Sequence, residues 1–180
     1  MIFTETSLAG AFHIDIRKLE DPRGFFARTF CQKEFIEHGL NTRVAQCNVS
    51  YNIKKGTWRG LHLQISPYQE AKLVQCISGA IYDVIVDLRP KSPTYMKHLG
   101  VTLRAEEYQM LYVPEGFAHG FLTLTDHVNV FYQISEFYAP EYARGFRWDD
   151  PAFGIVLPEE VKVISERDAR SPDFSLDSLR

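Results

Sequence analysis

The eleven residues Val113-Pro-Glu-Gly-Phe-Ala-His-Gly-Phe-Leu-Thr123 place His119 between two glycines, amid apolar residues of the kind that form strands. Two shorter segments, Arg59-Gly-Leu-His62 and Ala71-Lys-Leu-Val74, also set basic side chains among apolar ones. Polar groups on short, turn-bounded apolar segments are typical of a β-barrel or sandwich with a functional interior. The three segments therefore predict a barrel whose inside is polar and chemically active.

Length and charge limit the possible classes of protein. The chain has 180 residues, 45% of them hydrophobic, which is enough for one packed core and predicts a single domain over residues 1–180. Its 20 basic and 23 acidic side chains give a net charge of −3, which argues against nucleic acid or an anionic membrane as a partner. The first residues do not resemble a secretory signal, and no run approaches the ~18 apolar residues of a spanning helix. We therefore expect a cytoplasmic protein whose Cys31, Cys47 and Cys76 are free thiols.

Short runs rich in Val, Ile, Tyr and Phe recur between turn residues and predict β-strands. The predicted strands are Val44–Val49, Lys72–Ile77, Ala80–Leu88, His98–Leu103, Gln109–Val113, Gly120–Leu124 and Val128–Ile134. So many closely spaced strands indicate an all-β sandwich or barrel with few helices. One helix is predicted at Gln32–His38, with Phe35 and Ile36 on one side and Gly39 as its stop. A second short helix is predicted after Ser165.

Strand alternation predicts which side chains point inward. In Val128–Ile134 it places Tyr132 on the more uniformly apolar face. In Lys72–Ile77 it places Lys72 on one face with Val74 and Cys76, as a candidate cation that points inward. Strict alternation separates Arg59 from His62, and we expect a bulge at the intervening glycine to bring both inward.

Each of these polar residues also has an ordinary structural explanation. A lone histidine on a strand is more often a hydrogen-bonded packing residue than a catalyst, and a strand lysine is more often solvated. Tyr132 fits a barrel aromatic whose hydroxyl bonds a carbonyl, and Arg23 fits a turn. A functional interpretation therefore depends on the combination of His, Lys, Tyr and Arg residues.

That combination belongs to a series of motifs that run in order through nearly the whole chain. They are Asp21-Pro-Arg-Gly-Phe-Phe26, Gln46-Cys-Asn48, Arg59-Gly-Leu-His-Leu-Gln64, Lys72-Leu-Val74, Asp83-Val-Ile-Val-Asp-Leu-Arg89, Ser92-Pro-Thr94, Pro114-Glu-Gly-Phe-Ala-His-Gly-Phe121 and Trp148-Asp-Asp-Pro151. Together they resemble the dTDP-4-dehydrorhamnose 3,5-epimerase family. The resemblance implies a cupin-type jelly roll, a double-stranded β-helix. It also implies a homodimer whose N-terminal strands exchange between subunits.

The resemblance further implies proton-transfer chemistry on a nucleotide-diphospho-sugar. His62 is then the base that removes the proton beside a C4 carbonyl, Asp168 orients His62, Lys72 faces the C4 oxygen, and Tyr132 returns the proton from the opposite face. Both half-reactions are proton transfers, so we expect no cofactor.

We also expect no metal. Metal-binding cupins use a His-x-His pair, a Glu and a later His, whereas here Gln64 replaces the second histidine of the pair. His62, His119 and the candidate Glu70 are fewer strong ligands than that set, and a neutral Gln is a poor ligand for a transition metal.

The resemblance assigns nucleotide binding to a second set of residues. Arg59 and a partner-supplied Arg23 would hold the diphosphate, and Phe26 would stack on the base, unless it is a core residue. The other implied ligand-site residues are Gln46, Asn48, His119, Tyr138 and Arg167. Arg28 and Arg144 stand at or near positions where the family pattern has Glu. Arginine cannot accept the thymine N3 hydrogen, so we expect either a relaxed or altered base preference, or an Arg28 that points to solvent.

Three classes of function remain open from the sequence. The first is a 3,5-epimerase, or its variant that inverts only C3. The second is a sugar ketoisomerase acting on a CDP-, GDP- or dTDP-linked keto sugar, or a metal-dependent cupin oxygenase. The third is a non-catalytic sugar-binding cupin. Retention of His62, Lys72, Tyr132 and Asp168 favours the first class, because binding alone does not require an acid and a base on opposite faces.

Overall fold

The computed structural model of the chain describes residues 1–179, which form mainly β-strands. In chain order the strands are β1 (Ile2–Glu5), β2 (Phe12–Asp15), β3 (Leu19–Asp21), β4 (Gly24–Phe26), β5 (Gln46–Asn52), β6 (Trp58–Gln64), β7 (Lys72–Ser78), β8 (Ala80–Asp87), β9 (His98–Arg104), β10 (Met110–Val113), β11 (Phe117–Thr123), β12 (Val128–Ile134) and β13 (Ala143–Gly145). The helices are α1 (Gln32–Glu37) and α2 (Glu166–Ala169), and 3-10 turns lie at Ala105–Glu107, Pro140–Tyr142 and Leu176–Leu179. The predicted all-β class with a few short helices is confirmed.

The individual elements agree with the sequence predictions to different degrees. Strand β12 covers the predicted residues, whereas the strand predicted at Val44–Val49 lies at Gln46–Asn52. Helix α1 is present with Phe35 buried, but the expectation that Ile36 shares its side is wrong, because Ile36 is 64% exposed. The short strands β1 to β4 do not appear among the predictions, since they lack a long apolar run.

Two antiparallel sheets build the fold. The first has the strand order β1-β2-β10-β7-β12-β5 and the second has the order β13-β6-β11-β8-β9, while β3 and β4 form a separate hairpin. Residues from both sheets share one buried cluster, in which Val74 and Val130 of the first sheet belong with Ile85 and Phe117 of the second. Because this cluster joins both sheets, we propose that the chain is one domain.

Apolar segments cover parts of the two outer faces. Phe146, Phe153 and Phe174 pack with buried residues of β6, β8 and β11, and Phe35 of α1 packs with residues of β2, β7 and β10. The edge strand β5 keeps exposed apolar side chains. Within residues 1–179, no helix has the length and apolar character needed to cross a bilayer.

A bulge between β6 and β11 turns Arg59 and His62 toward the same cavity, as expected. The pairing passes from His119 opposite His62 to Phe121 opposite Arg59, so β6 carries one extra residue. A Cβ on Gly60 would lie 2.5 Å from the Cα of Gly120, and therefore a side chain there would force the strands apart.

Candidate active site

The sheets enclose a cavity of about 360 Å³ that collects most of the predicted site residues. It is lined by Gln46, Asn48, Val49, Ser50, Arg59, His62, Glu70, Lys72, His119, Phe121, Tyr132, Ile134, Tyr138 and Asp168. Strands of both sheets, the segment before β7, the segment after β12 and α2 contribute side chains. The imidazole of His62, the ammonium of Lys72 and the phenol of Tyr132 therefore line one cavity.

His62 and Asp168 form a hydrogen-bonded pair at the cavity wall. The Nε2 atom of His62 lies 2.8 Å from Oδ1 of Asp168, and the imidazole is 44% exposed while the carboxylate is 7% exposed. Burial opposes ionisation of Asp168, but hydrogen bonds from His62, Gly60 and Ser165 hold its pKa below the usual value. Asp168 is thus a carboxylate acceptor for Nε2–H, which leaves Nδ1 of His62 as the basic nitrogen.

Helix α2 positions this carboxylate, as its capping pattern predicts. Ser165 is the N-cap, and its Oγ accepts a hydrogen bond from the backbone N–H of Asp168 at 3.1 Å. The Asp168 side chain is hydrogen-bonded to Ser165 as well as to His62, so one carboxylate joins the N-cap residue to the imidazole.

A second His–Asp pair lies deeper in the site. His119 Nε2 is 2.7 Å from Oδ1 of Asp83, with the side chains 6% and 0% exposed. The other oxygen, Oδ2 of Asp83, is buried without a hydrogen-bond partner among the described residues. The sequence reasoning missed Asp83 as a site residue, although a carboxylate in the apolar strand Ala80–Asp87 signals a buried charge that requires a partner.

Tyr132 is held as a neutral phenol. Burial raises the pKa of Tyr132 strongly, the negative charge of Asp83 raises it further, and the positive charge of Arg59 opposes the change. The ring lies edge-on to His119, with the two ring centroids 6.1 Å apart. Its position on the inward face of β12 confirms the alternation argument.

Lys72 is buried in the cavity wall, also as alternation predicts. Its side chain is 9% exposed, and its Nζ lies 2.8 Å from Oε1 of Glu70 and 3.4 Å from the carbonyl oxygen of His62. An ammonium has three N–H donors, so one remains available to the cavity.

Some polar groups around the cavity mouth are hydrogen-bonded to neighbouring residues. Arg59 donates from Nε to Oδ1 of Asn52 at 2.6 Å and lies on the exposed side of the cavity. Gln46 accepts from the backbone N–H of Tyr138 at 2.8 Å, and the Tyr138 ring is 57% exposed at the rim. These residues form the solvent-facing end of the site, together with Asn48.

Arg167 lies in an adjoining cavity of about 210 Å³, which shares His62, Glu70 and Tyr138 with the first. Arg144 lines the same space, but its guanidinium donates to backbone carbonyls of Glu141, Ala143 and Ser178. Arg144 is therefore bound to the backbone at the edge of the site.

Three other predicted nucleotide-binding residues line neither the main cavity nor the adjoining one. Phe26 and Arg28 line a separate cavity of about 340 Å³ with Met1, Arg17, Leu19 and Glu34. Arg28 donates to Glu34 at 3.1 Å, and its side chain is 60% exposed. Arg23 is 90% exposed and pairs with Asp21 at 2.6 Å within its own turn.

The side chains present do not fit the metal centre of a metal-binding cupin. Gln64, which takes the place of a histidine ligand, bonds backbone groups of Tyr68, Phe137 and Ala139. Among residues 1–179, no three His, Cys, Asp or Glu side chains lie close enough together to hold a metal ion. The metal-free site stays a prediction.

Comparisons with known proteins agree with the geometry. A family model described as dTDP-4-dehydrorhamnose 3,5-epimerase matches residues 5–175. A curated protein of that name from Methanothermobacter thermautotrophicus is 46% identical over 169 residues, which cover 92% of this chain and 90% of the relative. The crystal structure of the Bacillus anthracis enzyme of that name, with TDP and PPi bound, matches with a TM-score of 0.92 at 39% identity, covering 96% of this chain and 99% of that one. The crystal structure of a 3′-monoepimerase from Streptomyces bikiniensis, in complex with dTDP-quinovose, matches with a TM-score of 0.85 at 33% identity. The match covers 93% of this chain and 85% of that one.

Proposed function

The chain belongs to the dTDP-4-dehydrorhamnose 3,5-epimerase family, and we propose that it inverts C3 and C5 of a dTDP-linked 4-keto-6-deoxyhexose. The family fold is a cupin-type jelly roll, and its members are isomerases. The observation that carries the proposal is the meeting of His62, Lys72 and Tyr132 in one cavity. Both carbons flank the C4 carbonyl, so removal of either hydrogen produces an enolate.

His62 acts as the base. Nδ1 removes the proton from carbon, the electron pair moves toward the C4 oxygen, and the imidazole becomes an imidazolium. The 2.8 Å contact with Asp168 supports this role, because a carboxylate on Nε2 fixes the tautomer and stabilises the imidazolium.

Lys72 stabilises the oxygen on which negative charge develops. Its ammonium lies in a water-poor wall, where a fixed positive charge stabilises an enolate more strongly than water does. Tyr132 then donates its proton to the opposite face of the carbon. The raised pKa of Tyr132 supports this order of events, because the phenol stays protonated until the enolate forms.

NMR of dTDP-4-keto-6-deoxyglucose incubated with the protein in heavy water tests the reaction. We expect deuterium at C3 and C5 together with the inverted sugar. A protein that binds the nucleotide but exchanges neither hydrogen would be a sugar-binding cupin instead. Transition metal in a stoichiometric amount, found by elemental analysis, would contradict the metal-free chemistry.

Inversion at C3 alone is the second candidate. It is favoured by the similarity to the Streptomyces bikiniensis 3′-monoepimerase, which is 33% identical. The same heavy-water experiment separates the candidates, because a C3-only enzyme incorporates one deuterium and a 3,5-epimerase incorporates two.

We propose that the nucleotide site is completed in a homodimer with exchanged N-terminal strands. Phe26 and Leu19 are 71% and 62% exposed on the β3–β4 hairpin, and Arg23 points to solvent beside them. Exposed aromatic and basic side chains on one hairpin are suited to a base and a diphosphate held in the cavity of a second copy.

Mixing two inactive variants tests this exchange. Arg23→Ala and His62→Ala chains are expected to recover activity when they are unfolded together and refolded, because a mixed dimer contains one cavity with neither change. Failure to recover activity, in mixed dimers verified by mass, would place both residues in the same site and refute the exchange.

The nucleobase preference is a separate proposal. Arg28 lies near Phe26 and bonds Glu34 through Nη1, so its other N–H groups are available as donors to a base that Phe26 stacks on. We propose that the preference for thymine is relaxed toward cytosine, whose N3 and O2 both accept, and guanine, whose O6 and N7 both accept. Titration with TDP, CDP and GDP checks it, and a strong preference for TDP would contradict it.

We also propose a cytoplasmic location, which is supported by the free state of all three cysteines. Fractionation of cells tests it, and recovery outside the cytoplasmic fraction would contradict it.

A further inference from the structure

Glu70 lies beside Lys72 in the wall of the main cavity and takes no direct part in the proposed proton transfers. Its carboxylate is 11% exposed and lies 2.8 Å from the ammonium of Lys72. It also lines both the main cavity and the adjoining one. A carboxylate so deeply buried is costly unless it is paired, and Lys72 is the cation that pairs with it.

Two hydrogen bonds to Ser135 hold the backbone of Ala71, the residue between Glu70 and Lys72. The N–H of Ala71 donates to Oγ of Ser135 at 2.7 Å, and the carbonyl of Ala71 accepts from the N–H of Ser135 at 3.0 Å. Residues two apart on extended backbone point to the same side, so Glu70 and Lys72 both face the cavity. These two hydrogen bonds therefore fix the backbone that carries the Glu70 and Lys72 side chains.

Two fixed acceptors orient the ammonium of Lys72. Its Nζ forms an ion pair with Oε1 of Glu70 at 2.8 Å and donates a hydrogen bond to the carbonyl oxygen of His62 at 3.4 Å. An ammonium has three N–H groups, so at least one remains for a ligand in the cavity. Without Glu70, the flexible four-carbon side chain would lose its nearest fixed acceptor.

We propose that Glu70 is a positioning residue that directs the free N–H of Lys72 at the C4 oxygen of the substrate. The proposal rests on the proposed function, because it assumes that an enolate forms in this cavity. Its consequence is specific: both enolates share the C4 oxygen, so loss of Glu70 slows proton exchange at C3 and at C5 by the same factor.

Glu70→Met and Glu70→Gln test the proposal. Met keeps the volume without an acceptor, whereas Gln keeps an acceptor oxygen and loses the charge. We expect Glu70→Met to lower kcat and both exchange rates by roughly tenfold or more, with KM within about threefold. Glu70→Gln is expected to recover most of that loss. Glu70→Ala replaces Glu70→Met if the latter does not fold.

A double-mutant cycle with Lys72→Ala shows whether Glu70 acts through Lys72. The double variant should be no slower than Lys72→Ala alone. Glu159→Gln is the matched control, because Glu159 also lies 2.8 Å from a lysine, Lys55, but at the surface, and it should leave kcat unchanged.

The outcomes separate this proposal from the function on which it rests. If the unmodified protein exchanges neither hydrogen, the proposed function fails, and the role of Glu70 fails with it. If the unmodified protein exchanges both and Glu70→Met stays within about twofold of it, only the role of Glu70 is refuted. A slower rate at one carbon alone, or additive losses in the double variant, would also overturn it.

Discussion

Replacing Tyr132 by Phe removes a single hydroxyl oxygen and separates proton removal from inversion. The base, His62, and its partner Asp168 are untouched by this change. We therefore expect the Tyr132→Phe protein to form the enolate but to lack the acid on the opposite face. The imidazolium of His62 then returns a proton to the face from which it came.

The structure gives the expected size of each effect. A positioned general acid contributes about 10²–10⁴ in rate, so inversion should fall by that factor. The imidazole of His62 is 44% exposed, so its N–H exchanges with solvent while the enolate persists. Deuterium uptake with retained configuration should therefore stay within about tenfold of the parent rate.

NMR in heavy water measures both quantities in one sample, since label and configuration are read from the same sugar signals. Tyr112→Phe is the matched control, because Tyr112 is also a buried phenol whose pKa is raised by burial, to about 12, but it bonds the backbone of Asn41 outside the cavity. The control should invert normally. Inversion by Tyr132→Phe at the parent rate, or loss of exchange along with inversion, would refute the assignment of acid and base.

Three further predictions concern other charged groups. Asp168→Asn is expected to lower kcat by about 10²–10⁴ without weakening TDP binding, as measured by steady-state kinetics and calorimetry, because the amide favours the wrong imidazole tautomer. Arg59→Ala should instead weaken TDP binding by about 10–100-fold in the same calorimetry, and unchanged affinity would remove Arg59 from diphosphate binding. Asp87→Asn should cost about 1–3 kcal/mol of unfolding free energy at pH 7, because it removes the charge-assisted hydrogen bonds of Arg89, a side chain that is 32% exposed and stays partly hydrated. Burial opposes ionisation of Asp87, but hydrogen bonds, first from Arg89, keep its native pKa below the usual value. The ionised Asp87 therefore stabilises the fold above about pH 4, and this stabilisation is lost as the pH falls through the native pKa. Urea unfolding at pH 7 and pH 3 checks this, and an equal loss at both values would contradict it.

Strand alternation succeeded where neighbouring residues alone decide orientation. Lys72 and Tyr132 point inward because each lies on a regular strand with apolar residues two positions away. Arg59 and His62 required a bulge, whose place was indicated by Gly60 but whose existence depends on the close approach of Gly120. Ile36 was misplaced because the apolar pattern of a six-residue helix is too short to define one buried side.

Partners distant in the chain were beyond this reasoning. His62 and Asp168 are 106 positions apart, and family resemblance rather than spacing suggested their contact. Asp83 and His119 are 36 positions apart on paired strands, and their contact became visible only with the register of β8 and β11.

The order of residues along the chain was sufficient for the all-β class, the inward-facing lysine and tyrosine, and the family, since each depends on local periodicity or on motifs. The cavity and the two His–Asp pairs depend on which strands and helices become neighbours and in what register. Sheet order and register arise from packing the apolar faces of both sheets into one interior, and that is a property of the whole chain rather than of any segment.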